Sequence, residues 1–282
     1  MKFAVFSVSL PEWSPEEALK KLKALGYDGV EWRVIDQKPS ADGKPSFWAG
    51  NRCTWPVSSF VEDAPRIKAM TAQAGLEMPC LGTYASMDEL ENVERGMKGA
   101  AILGVKKLRV GTQGYDGKAP WLPLRDRAVA KYREVEAMAK RHGVRALIEM
   151  HMNTLTPSAS SARAFAENFN PAHVGVIYDL GNVVYEGYEH YRLALEALGP
   201  YLAHVHVKNA VWKPTHDEAT GVTQWKTEAA PLKKGVADFK RFFETLKDIG
   251  YDDWVSVEDF STEGALEDRV RENAGFLRSL VK

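Results

Sequence analysis

Along the chain, short apolar runs alternate with longer segments whose apolar residues recur at helical spacing. The run Phe3-Ala4-Val5-Phe6-Ser7 predicts a strand, and Ser14-Pro15-Glu16-Glu17 then supplies an N-cap, a proline at the first helical position and early acids for a helix reaching Gly26. Strand 27–33 follows. The unit repeats: helix 57–74 to strand 77–81, helix 87–103 to strand 107–111, helix 122–142 to strand 145–150, helix 160–168 to strand 173–178. Helix 188–198 leads to strand 203–208, helix 237–249 to strand 254–259, and helix 264–280 closes the chain. Strands separated by helices imply parallel pairing through crossovers. Eight such units within 282 residues predict one (β/α)8 TIM barrel spanning 1–282, with long loops at 35–56 and 209–235. Loops of that length are more often functional than idle. A doubly wound open sheet is the competing fold, but its glycine-rich turn after the first strand is missing.

One stretch breaks the apolar pattern in a regular way. In Leu202-Ala203-His204-Val205-His206-Val207-Lys208-Asn209, side chains alternate between faces, so His204, His206 and Lys208 share one face of a buried strand. Burying such groups unpaired costs about 2–7 kcal/mol each, so this face needs polar partners or lines a site.

Composition narrows the classes. With 45% hydrophobic residues the chain can bury a large core, and a net charge of −1 provides no footprint for nucleic acid or a membrane surface. Cys53 and Cys80 are too few for a disulfide framework and lack a CxxC spacing, which suits structural thiols in a reducing cytoplasm. Neither a leader pattern nor a run of about 18 apolar residues is present, so the expected location is cytoplasmic.

In a TIM barrel the site lies at the C-terminal ends of the strands. Glu149, Asp179 and Glu258 each follow an apolar run there, and His206 adds a nitrogen. A carboxylate after one strand is commonly a helix cap or an ion-pair partner. Four such groups on successive strands instead point to one divalent metal ion, Mn²⁺ foremost, with Mg²⁺, Co²⁺ or Zn²⁺ also suited to three oxygens and one nitrogen. His151 and His204 suit the surroundings of the ligands or the substrate better than direct ligation, since catalysis needs open coordination positions. Trp32, Trp48, Trp55, Trp212 and Trp225 are candidates for stacking on a sugar or for packing. Arg33, Arg109 and Lys208 are candidates for holding a phosphate or polarising a carbonyl, Arg109 being otherwise an ion-pair residue inside the barrel.

Taken in order, Asp28-Gly29-Val30-Glu31, Glu149-Met150-His151, Asp179-Leu180-Gly181-Asn182, His204 to Asn209 and Val257-Glu258 resemble the sugar phosphate isomerase/epimerase family of xylose isomerase-like TIM barrels, which includes hydroxypyruvate isomerase, inosose dehydratase and ketose 3-epimerases. The resemblance implies that Glu149, Asp179, His206 and Glu258 ligate the metal and that Glu149 and Glu258 also act as catalytic acid and base. His151, Asn182, Lys208, Arg109, Trp32 and Trp212 are the residues expected to contact the substrate. Ketose 3-epimerases carry a histidine three residues after the metal aspartate; Asn182 stands there, which argues against simple epimerisation of a free ketose.

The chemistry expected is proton abstraction beside a carbonyl, with the metal stabilising the enediolate and two carboxylates moving the proton. That makes the chain an isomerase or epimerase acting on a sugar, sugar phosphate or polyol derivative, in a homodimer, a homotetramer or alone. Elimination from a keto-sugar or keto-inositol by a lyase or dehydratase is the alternative. An abasic-site endonuclease would need more histidines on strands two and three, where Glu31-Trp32-Arg33 and Leu81-Gly82-Thr83 stand. A non-catalytic sugar-binding barrel is the remaining class.

Overall fold

The computed structural model describes residues 1–282. In chain order its strands are β1 (Lys2–Phe6), β2 (Gly29–Val34), β3 (Thr54–Trp55), β4 (Leu81–Thr83), β5 (Lys107–Arg109), β6 (Arg145–Glu149), β7 (Val174–Asp179), β8 (Leu202–Val207), β9 (Asn209–Asp217), β10 (Val222–Ala230) and β11 (Trp254–Val257). Strands β1, β2, β4, β5, β6, β7, β8 and β11 pair in that ring order, and β1 pairs with both β2 and β11, so eight parallel strands close on themselves. This is the (β/α)8 barrel that the alternation of apolar runs and helices predicts. The two-residue strand β3 is an appendage of β2.

The helices are α1 (Pro15–Ala24), α2 (Phe60–Gln73), α3 (Leu90–Leu103), α4 (Trp121–His142), α5 (Ala159–Ala166), α6 (Asn182–Tyr185), α7 (Tyr191–Leu198), α8 (Phe239–Asp248) and α9 (Leu266–Leu280). Helix α1 starts as its sequence predicts: Glu17 N donates to Ser14 Oγ at 3.2 Å, and Ser14 N donates to Glu17 at 2.7 Å, closing a capping box behind Pro15. No helix is long and apolar enough to cross a membrane.

Alternation along β2 assigns its side chains to two layers. Glu31 is buried inside the barrel, whereas Trp32 donates from Nε1 to Thr71 of α2 at 3.3 Å and meets Trp55 edge-on at 5.9 Å. The barrel interior is packed, not hollow. A Cβ on Gly82 would lie 2.1 Å from the Phe6 ring, so the absence of a side chain at Gly82 is what lets Phe6 fill the interior, 5.7 Å from His206.

Two expected elements differ. The strand expected at 77–81 is displaced to Leu81–Thr83, because Pro79 has no N–H to donate and Glu77 makes only a bridge to Gly29. The segment 209–235 is no open loop: β9 and β10 form an antiparallel hairpin paired from Asn209↔Ala230 to Val222↔Asp217. Most of it is exposed on both faces, so it carries no apolar alternation to announce it.

Candidate active site

The four residues expected to ligate metal converge at the C-terminal end of the barrel. Glu149 ends β6, Asp179 ends β7, His206 lies in β8 opposite Asp179 in the ladder, and Glu258 follows β11. One ligand atom from each falls within 4.8 Å of all the others. His206 Nδ1 lies 3.5 Å from Glu149, 3.6 Å from Glu258 and 3.9 Å from Asp179, and has no hydrogen-bond partner. A buried nitrogen without a partner, aimed among three carboxylates, is a donor set that fits a divalent cation.

The other side of the His206 ring explains its orientation. Nε2 donates to Glu31 at 3.1 Å, and His204 Nε2 reaches the same carboxylate at 3.0 Å, with Ser256 Oγ also at 3.0 Å. A carboxylate can only accept, so Glu31 fixes the hydrogen on Nε2 and turns Nδ1 toward the mouth. Burial alone would raise the Glu31 carboxyl, but His206 and His204 hold it well below the usual carboxylate range. Glu31 was not among the site residues the sequence singled out. Its signal was its parity: in the ladder it sits beside Phe6, inside the barrel, while Trp32 faces out.

Charge is unbalanced here. Glu31, Glu149, Asp179 and Glu258 face only two permanent cations, Arg109 and Lys208. Arg109 Nη1 lies 2.5 Å from Glu149, and burial notwithstanding, it and His206 keep that carboxyl well below its ordinary range. Lys208 Nζ donates to Asp179 at 2.6 Å and to Glu258. Burial would lower the Lys208 ammonium's pKa, yet Asp179, Glu258 and Glu149 push it up and keep it charged. Asp179 is left with the deficit: burial, together with Glu258 and Glu149, pushes it up to about 6 despite Lys208. For His206, burial opposes charge, but Glu31 and Glu258 raise it well above its ordinary value. A cation among the carboxylates would replace that proton.

Above this floor opens a cavity of about 670 Å³, lined in part by Arg109, Glu149, His151, Lys208 and Glu258. Segment 35–56 contributes Phe47 and Trp48 to its wall. Other expected substrate contacts lie elsewhere. Trp32 is fully buried against α2, because its parity on β2 points it out of the barrel. Asn182 is buried behind the site, donating to Met150 O at 3.0 Å and Glu149 at 3.3 Å, so it supports a ligand residue rather than lining the cavity. Trp212 donates to Val184 O at 3.0 Å beside a neighbouring groove, and Trp225 stands exposed on β10. Arg33 is engaged by Gln37 and Thr54. Cys53 and Cys80 are buried free thiols, and burial pushes both thiols up.

Comparison with known proteins agrees with the barrel fold. Residues 19–280 match the family described as xylose isomerase-like TIM barrel. An L-ribulose-5-phosphate 3-epimerase from Salmonella paratyphi A is 27% identical over 242 residues, covering 83% of this chain and 78% of its own. Among solved structures, a 3-keto-D-glucoside 4-epimerase from E. coli superposes with a TM-score of 0.74 at 19% identity, covering 99% of each chain. The IOLI protein with a bound zinc atom gives 0.75 at 17% identity, over 100% of this chain and 98% of that one.

Proposed function

The chain belongs to the xylose isomerase-like TIM barrel family, whose named relatives are sugar epimerases and isomerases, and from that premise we propose a divalent-metal-dependent epimerase or isomerase that moves a proton beside the carbonyl of a keto-sugar. One observation carries the reading: His206 Nδ1 is unpartnered and surrounded by Glu149, Asp179 and Glu258 at the floor of a cavity large enough for a sugar. Those four residues would hold the ion, Mn²⁺ foremost given three oxygens and one nitrogen. When bound it supplies positive charge for the oxygens of the enediolate.

The rest is done by side chains of this chain. Glu149 and Glu258 both line the cavity, and their strands β6 and β11 are separated by β7 and β8, so the two carboxylates approach a bound sugar from different sides. Arg109 pairs with Glu149 and keeps it ionised, and Lys208 donates to Glu258, so both carboxylates are held in place to take a proton and return one. His151 and Arg109 reach the same cavity and can orient the substrate's hydroxyl and carbonyl oxygens.

Solvent exchange tests the reading. With Mn²⁺ supplied, a panel of keto-sugars incubated in heavy water is expected to take up deuterium at the carbon beside the carbonyl, and chelation to stop it. Stoichiometric metal with no exchange into any keto-sugar would refute the proposal.

A further inference from the structure

Resting on the reading just given, we infer that the substrate is a keto-sugar without phosphate that carries an apolar, aromatic-sized substituent, held by Phe47, Trp48 and Phe260. The cavity walls differ sharply from its floor. Phe47 and Trp48 pack on Phe260 with ring centroids 5.2 and 5.1 Å apart, and this aromatic patch borders the cavity on the side of Lys208, whose Nζ lies 5.4 Å from the Phe260 ring. Trp48 is 58% exposed and Trp225 57%, but of the two only Trp48 lines the cavity, where with Phe47 and Phe260 it forms a contiguous aromatic face. At about 670 Å³ the cavity matches those that enclose drug-sized ligands, not a bare five-carbon sugar.

Phosphate finds no receptor here. Such a group is bound by cationic forks or by free backbone N–H groups. Arg109 and Lys208 are the only arginine and lysine that line the cavity, and both already face carboxylates: Arg109 holds Glu149 and also donates to Thr83 O at 2.9 Å, and Lys208 holds Asp179 and Glu258. TIM barrels often hold phosphate at the loops after the seventh and eighth strands. In this barrel those strands are β8 and β11, and a backbone N–H after each is already taken: Ala210 N donates to Asn209 Oδ1 at 2.9 Å and Ser261 N to Asp259 Oδ1 at 2.8 Å. A dianion added beside Glu149 and Glu258 would therefore be repelled, whereas an apolar ring would cover Trp48 and Phe260.

The test compares affinities on the Mn²⁺-loaded chain by calorimetry with phenyl β-glucoside and its 3-keto derivative, the same sugars without the phenyl group, and ribulose 5-phosphate. The phenyl compounds are expected to bind about tenfold tighter than their bare counterparts. That ratio should fall toward one in Phe260→Ala and in Trp48→Ala, the second of which removes a side chain too exposed to endanger the fold. Equal or tighter binding of ribulose 5-phosphate, or a ratio unchanged in both variants, would overturn the inference. Deuterium uptake separates it from the reading beneath: exchange into ribulose 5-phosphate as fast as into the phenyl keto-glycoside keeps the epimerase and removes the substituent, while a phenyl preference without any exchange does the reverse.

Discussion

The Lys208 ammonium lies 2.6 Å from Asp179 Oδ2, the same oxygen that faces His206 Nδ1 at 3.9 Å. A lysine and a divalent ion would thus share one carboxylate oxygen. Two cations that close repel by several kcal/mol even at an effective dielectric of about 20. Lys208→Met should therefore bind Mn²⁺ about tenfold more tightly or better, while the metal-free variant melts earlier because the buried Asp179 and Glu258 lose their cation. Metal titration by calorimetry reads the first effect; an equal or weaker affinity would show that Lys208 does not compete.

Glu31 acts on the site through the far nitrogen of His206. Losing the charged acceptor in Glu31→Gln should cost about 10- to 100-fold in metal affinity, the usual effect of a carboxylate behind a metal-binding histidine. Lower thermal stability with an unchanged dissociation constant would reduce Glu31 to a packing role.

Proton transfer and metal holding can be separated. Glu149→Gln and Glu258→Gln keep shape and one oxygen donor, so turnover is expected to fall by about 10²–10⁴ at saturating metal. Asp179→Ala and His206→Ala should fail mainly by losing the ion, visible by elemental analysis. Active glutamine variants would rule out the two-carboxylate scheme and turn attention to His151 as the base.

Both cysteines should be silent in the native state. Cys53 and Cys80 have no exposed surface and thiols pushed up by burial, so a thiol reagent at neutral pH is expected to label neither until denaturant is added. Rapid labelling of the folded chain would mean that the barrel opens far more readily than its packing implies.

What the amino-acid order determined by itself is everything that depends on period. Apolar runs between helical segments specified the barrel, Ser14-Pro15-Glu16-Glu17 specified the start of α1, and two-residue spacing put His204, His206 and Lys208 on one face. The position of Glu149, Asp179 and Glu258 at strand ends marked them for one site, because a parallel barrel brings those ends together. Partners across the barrel were decided only by closure. Glu31 meets His206 from 175 residues away, a pairing set by which strands become neighbours and by their register. Trp32 and Asn182 are chemically suited to a sugar, yet strand parity turns one outward onto α2 and the turn after β7 buries the other behind Glu149. The hairpin β9–β10 escaped notice for the opposite reason. Its backbone pairing holds it in shape while both faces meet solvent, so no alternation of apolar and polar residues was needed, and none was there to read.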